Sequence, residues 1–296
     1  MWGLRCLPHQ TKGTMPMRSV NIFLAAGAVS LLSSAAFAAD LGAAPAPYYA
    51  PPPVQDFGGW YLRGDIGMTN TSNNTLISNL DPSPAVASTQ RFGSFSGGTS
   101  YGVGVGYEFN NWFRADITGE YRSKVTFNGN NFYQYFPVGP GNILGDTYTG
   151  GYSSWVGLAN IYADLGTWWC LTPFVGAGVG GAYNYTSGMA DSATFSVGRG
   201  GSLYQADGAG KFNFAWAAYA GVAYKVTSNF TVELAYRYLD MGNAAFGQGH
   251  FFDGTNPGLS TFHFNNDLTS QDLKIGLRWT CCDLPPASPP PLIRKG

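Results

Sequence analysis

Charged residues recur at even spacing: Arg63 and Asp65, Arg114 and Asp116, Glu120 and Arg122, Glu233 and Arg237, Lys274 and Arg278. Side chains in a β-strand change face at every residue, so a separation of two or four puts both members on one face. Such residue types could pair ions across an enclosed interior or, with space between them, line a conducting path. His250 and His263 stand near Asp253 and Asp267, a set of imidazoles and carboxylates that could ligate a metal or haem, but no ligand spacing is tight. No Ser/His/acid elbow or paired catalytic motif occurs, and the glycine repeats belong to strands rather than phosphate loops. The expectation is a protein that is not an enzyme, with no catalytic, cofactor-binding or metal site.

Alternation reveals the elements that must position these charges. In 229–239, Phe230, Val232, Leu234, Tyr236 and Tyr238 share one face, and Thr231, Glu233, Ala235 and Arg237 the other. Similar segments predict strands near 58–68, 99–109, 112–125, 153–166, 173–185, 212–226, 229–240 and 269–280. With the oily face outward, the third strand shows Phe113, Ala115, Ile117, Gly119 and Tyr121, and the eighth Leu273, Ile275, Leu277 and Trp279. All ten charged residues then point inward, where Gly102, Gly104 and Gly106 leave room for them. Short connections at 110–111, 167–171 and 227–228 alternate with long ones near 69–98, 126–152, 186–211 and 241–268. The Asn110-Asn111 pair suits the positive φ of a hairpin turn. Trp60, Trp112, Trp168, Trp169 and Trp279 gather toward the short turns. Tyr101, Tyr121, Tyr183, Tyr185 and Tyr238 gather toward the long connections, which makes two belts suited to two membrane–water interfaces.

A bilayer offers no water to backbone groups, so strands cross it only as a closed barrel. The fold expected is all-β: an eight-stranded antiparallel up-and-down transmembrane barrel at 57–280, with short turns on one side and long loops on the other. Eight strands enclose just enough space for side chains to fill. Only 11% of the 296 residues are charged, less than half of the roughly 25% of a soluble domain. The run 22–32 is too short for a membrane helix, which needs about 20 residues. It reads instead as the core of a secretory signal, with Arg18 before it and Ala36-Phe37-Ala38 placing cleavage between Ala38 and Ala39. Residues 1–38 thus form an upstream extension plus signal peptide. Residues 39–56 form a Pro/Ala-rich periplasmic leader and 281–296 a Pro-rich tail. Removing 1–38 leaves 13 basic against 17 acidic residues, which gives no case for nucleic-acid binding.

The segments Pro173-Phe174-Val175-Gly176-Ala177-Gly178-Val179-Gly180, Phe230–Gly242 and Asp272-Leu273-Lys274-Ile275-Gly276-Leu277-Arg278-Trp279 carry a family resemblance. The chain resembles the small eight-stranded outer-membrane proteins and porin-family surface antigens of alphaproteobacteria, related in fold to the OmpA transmembrane barrel. The resemblance covers about Phe57 to Trp279. It implies a bacterial outer-membrane location, contact with outer-membrane lipids and the barrel-insertion machinery, and a structural or surface-antigen role. Such barrels end on an aromatic residue, whereas here Cys281 occupies that position.

Cys170 lies in the second short turn, and Cys281 and Cys282 follow the last strand, all on the periplasmic side, an oxidising compartment. A disulfide from Cys170 to Cys281 or Cys282 is one arrangement. A vicinal bridge, free thiols and an intermolecular link are the others, because bridged Cα atoms must lie within about 7 Å. The expected function is a structural, surface-exposed envelope barrel with a charge-filled lumen. The rivals are a narrow porin and a loop-borne receptor or adhesin that meets a host or envelope partner.

Overall fold

The computed structural model describes residues 59–73, 75–78, 84–195, 201–252 and 260–281. The signal peptide with Ala38 and Ala39, the leader, Asp253, Cys282 and the tail lie outside them. In chain order the strands are β1 (Gly59–Ser72), β2 (Leu76–Ser78), β3 (Val86–Phe95), β4 (Gly98–Glu108), β5 (Phe113–Tyr135), β6 (Ile143–Asp164) and β7 (Leu171–Phe195). They continue with β8 (Gly201–Ala206), β9 (Ala209–Lys225), β10 (Phe230–Asp240), β11 (Ala245–Phe251), β12 (Ser260–Phe264) and β13 (Thr269–Cys281).

Eight of these close a ring in the order β1-β4-β5-β6-β7-β9-β10-β13, each antiparallel to its neighbours. Closure runs through β1 and β13, with Trp60 opposite Cys281 and Ser72 opposite Thr269. Every strand edge in the ring is paired, as a bilayer requires. Ile66, Val103, Ile117, Val179, Leu234 and Ile275 are exposed on the outer wall, while their strand neighbours point inward and are buried or half-buried.

The stretches expected as long loops contain strand for much of their length. β5 and β6 stay paired from Val125 opposite Tyr152 to Gln134 opposite Ile143, and β7 runs for 25 residues. At about 3.3 Å per residue that is about 80 Å of strand, against an apolar band about 25 Å tall. β2, β3, β8, β11 and β12 join this extension, as the order β3-β5-β6-β7-β8-β11-β12-β2. Alternation persists here, with Phe127, Asn131 and Tyr133 buried between exposed Asn128, Asn130 and Phe132. Because the outer residues face water, the segment has turn-like composition although its backbone is paired.

The short turns also correct an expectation. Neither Asn110 nor Asn111 has positive φ. Instead, Asn110 Oδ1 accepts hydrogen bonds from the backbone N–H groups of Trp112 at 3.0 Å and Phe113 at 2.7 Å, an Asx turn. The left-handed pair is Trp169 (φ 50°) and Cys170 (φ 67°).

Candidate functional site: the layered barrel interior

The inward positions of the ring bring all ten charged residues together in two connected layers. Nearer the short turns, Arg63 donates to Asp65 and Asp116 at 2.8 Å each and lies 3.5 Å from Glu233. Glu233 also draws Arg114 and Arg278 to 3.1 Å each. At the rim, Arg114 reaches Asp164 and Arg278 reaches Glu108, both at 3.3 Å. The Arg114 guanidinium lies over the Tyr162 ring at 4.3 Å and the Phe174 ring at 4.8 Å. The Tyr61 hydroxyl donates to Asp116 at 3.0 Å, and Asn160 donates to the same carboxylate at 2.7 Å.

One level higher, Arg237 donates to both oxygens of Glu120, and its Nε donates to Asp272 at 2.9 Å. Lys274 donates to Glu120 at 2.7 Å. Arg122 donates to Asp272 at 2.8 Å and to Ser270 at 2.6 Å, and the Ser270 hydroxyl donates to Asp272 at 2.6 Å. A charge removed from water persists only when it is paired and hydrogen-bonded; these carboxylates supply the pairing, although Arg114 Nη1 and Arg278 Nη1 meet Glu233 Oε1 at ion-pair distance without hydrogen-bond geometry. Because side chains enter the lumen from strands on all sides, residues distant in sequence meet within a few ångströms.

Above the charges the interior turns apolar. Leu239, Met241 and Leu268 are buried beneath a cluster of rings. Phe127 and Phe264 lie 5.0 Å apart, Phe95 lies 4.8 Å from Phe127, and Phe246 lies 6.0 Å from Phe264. The chain after β10 is tied beneath them: Asn184 donates to the carbonyls of Met241 at 2.8 Å and Asn243 at 3.1 Å. The Asn243 amide donates to the Phe264 carbonyl at 2.6 Å.

A second polar group lies in the extension. Tyr148 donates to Asn131 at 2.5 Å, and Asn131 donates to Tyr133 at 3.1 Å. Asp191 on β7 stands opposite Tyr148 on β6 and Tyr204 on β8, with only 6% of its surface exposed. Its Oδ1 has no hydrogen-bond partner, and burial pushes its carboxyl up to about 7. Burial also pushes the Tyr148 hydroxyl above its ordinary range.

The even-spacing argument missed Asp272, although it stands two residues before Lys274 on the same face. It also missed the neutral partners Tyr61, Asn160, Tyr162 and Ser270, which no charge pattern marks. His250 lies opposite Gln205, and His263 opposite Ala245. Among the described residues no three potential ligands gather as a metal site. Cys170 is disulfide-bonded, and the side chains of Cys281 and Cys282 lie outside the described residues.

A closed eight-stranded ring with an apolar outer wall and a filled, ion-paired interior defines a small transmembrane β-barrel. The chain belongs to the outer membrane protein β-barrel domain family, which it matches over residues 24–280. It is similar to an uncharacterised protein of Brucella suis, 38% identical over 231 residues that cover 71% of this chain and 78% of the relative. It is also similar to the outer membrane protein PagN of Salmonella typhimurium, 28% identical over 122 residues, 41% of this chain and 47% of PagN. Among solved structures, OprG of Pseudomonas aeruginosa aligns with 76% of this chain and 97% of its own, at 12% identity and a TM-score of 0.45. The protein resides in the bacterial outer membrane.

Proposed function

We propose that the protein is a structural, surface-exposed component of the outer membrane, with a lumen closed to solutes and an extension that meets the outside. The observation that carries this reading is the succession of two barriers along one lumen. The first is the ion-paired layers around Glu233 and Glu120, and the second is the ring cluster around Phe264. A solute would have to part buried ion pairs and then an aromatic layer. A narrow porin is the rival, in which Arg63, Arg114, Arg122, Arg237 and Arg278 would act on selectivity.

Single-channel recording of the refolded full chain in planar bilayers tests the reading, with heat-modifiable gel mobility as proof of folding. A folded and silent protein is the expected result. Reproducible conductance steps would replace the structural role with a porin. Surface contact is the second part of the proposal. Phe92 and Phe132, exposed on the outer wall of the extension and packed edge to face at 6.4 Å, support contact with a host or envelope partner there.

A further inference from the structure

The outer wall of β5, β6 and β7 changes chemistry with height. Ile117, Ile161 and Val179 form an apolar face, followed by Tyr121, Trp155 and Tyr183, with the Tyr121 and Trp155 rings 4.8 Å apart. Two adjacent ladders then slip together: β5 carries an extra residue between Arg122 and Val125 against β6, and β7 carries one between Thr186 and Met189 against Gly150–Tyr152 of β6, where Gly188 has a φ of 86°. These bulges open a polar groove of about 310 Å³ lined by Lys124, Thr126, Ser187 and Gln205. Higher still, the Thr149 hydroxyl donates to Asn128 at 3.1 Å and the Thr147 hydroxyl to Asn130 at 3.0 Å, an exposed and uncharged ladder.

Lys124 is laid into this groove by a glycine. A Cβ on Gly151 would stand 2.5 Å from Lys124 Cε and 2.2 Å from Ser187 Oγ, so any larger residue would displace both. The Lys124 ammonium forms no ion pair among the described residues. An exposed cation held across a groove just beyond an aromatic belt sits where lipid phosphates lie.

We propose that this wall seats the phosphorylated sugar headgroup of an outer-leaflet glycolipid. The phosphate meets Lys124 and Ser187, neutral sugars run along the Asn128–Thr149 and Asn130–Thr147 ladder, and acyl chains cover the apolar face below. Height selects this occupant over a glycerophospholipid. From Thr126 to Asn130 the strand advances about 13 Å along its own axis, about 10 Å along the membrane normal at a tilt of about 40°, whereas an interfacial region adds only about 5 to 7 Å per leaflet. The inference does not depend on whether the lumen conducts.

Native mass spectrometry of the folded full chain with purified lipopolysaccharide tests it, and heat-modifiable mobility verifies folding of each variant. The wild type should retain one glycolipid. Lys124→Ala should weaken retention about five-fold, the order expected for one basic residue at an anionic surface. Lys124→Glu should weaken it further, and Lys124→Arg should preserve it. Gly151→Ala, which displaces Lys124 and Ser187, should also weaken it. Equal retention of lipopolysaccharide stripped of its phosphates would overturn the proposal, even if a variant misfolds. So would unchanged retention by a folded Lys124→Glu, or equal retention of phosphatidylglycerol by the wild type.

Discussion

Arg237 grips Glu120 through both carboxylate oxygens, Nη1 to Oε2 at 2.9 Å and Nη2 to Oε1 at 2.6 Å, although 117 residues separate them. The two lie on β10 and β5, strands that are not neighbours in the ring, so this fork spans the lumen. A bidentate guanidinium fixes direction as well as distance, which an ammonium cannot do. The lumen is therefore braced across its width by a rigid planar contact.

Arg237→Leu should destabilise the barrel by about 3 kcal/mol, the low end of the cost of orphaning a buried charge. The low end applies because Lys274 and Arg122 still face Glu120, and Arg122 still faces Asp272. Urea titration of the folded protein in detergent, followed by gel mobility, measures it. A change below about 0.5 kcal/mol, the range of ordinary surface substitutions, would show that the fork is dispensable.

Glycines on opposite faces of the wall should respond in opposite ways. A Cβ at Gly106 would sit 2.3 Å from Tyr61 Cζ and 2.6 Å from the Ala115 carbonyl oxygen, whereas one at Gly119 meets nothing within 4 Å. Gly106→Ala should cost about 1–3 kcal/mol as overpacking. Gly119→Ala, facing lipid, should be neutral or slightly stabilising. Parallel urea titrations compare the two, and equal effects would contradict this assignment of inside and outside.

The ring strands were legible in the sequence because lipid and lumen impose opposite chemistry on alternate residues, as at Leu234 and Glu233. Ten inward charges follow the same alternation, but Asp272, two residues before Lys274, and Asp164, alone at the rim of β6, were not read from it. The extension was not legible, because at Asn128, Asn130 and Thr147 both water and turns favour the same residue types. The aromatic layer was equally hidden. Phe95, Phe127, Phe246 and Phe264 come from four separate strands, and only pairing brings their rings within 6 Å or so of one another.

The turn between β6 and β7 stores local strain. Trp168 and Leu171 exchange two backbone hydrogen bonds of 2.8 and 2.9 Å, leaving Trp169 and Cys170 as the two left-handed residues of the hairpin. That conformation costs a non-glycine residue about 1–2 kcal/mol, and asparagine tolerates it better. Trp169 is 94% exposed, so it packs little. Trp169→Asn should raise the urea midpoint slightly. A lowered midpoint would mean that the indole anchors this turn in the membrane interface.

Asp191 makes the extension sensitive to pH. Its carboxyl faces Tyr148 across the β6–β7 ladder and Tyr204 across the β7–β8 ladder, with Asp146 on β6 and Arg91 on β3 also near Tyr148. Burial raises its pKa to about 7, above the roughly 3.9 of an unfolded aspartate. Between those values the folded chain holds a proton that the unfolded chain has released, so stability falls as pH rises through this window. Above about 7 both states are ionised and the penalty is constant. Limited proteolysis of the extension should therefore be slow at pH 5 and faster at pH 8, with the eight-stranded ring unaffected. Asp191→Asn, which cannot ionise, should remove that difference and protect the extension at pH 8. Proteolysis that accelerates toward pH 5 would reverse the sign and place the controlling charge elsewhere.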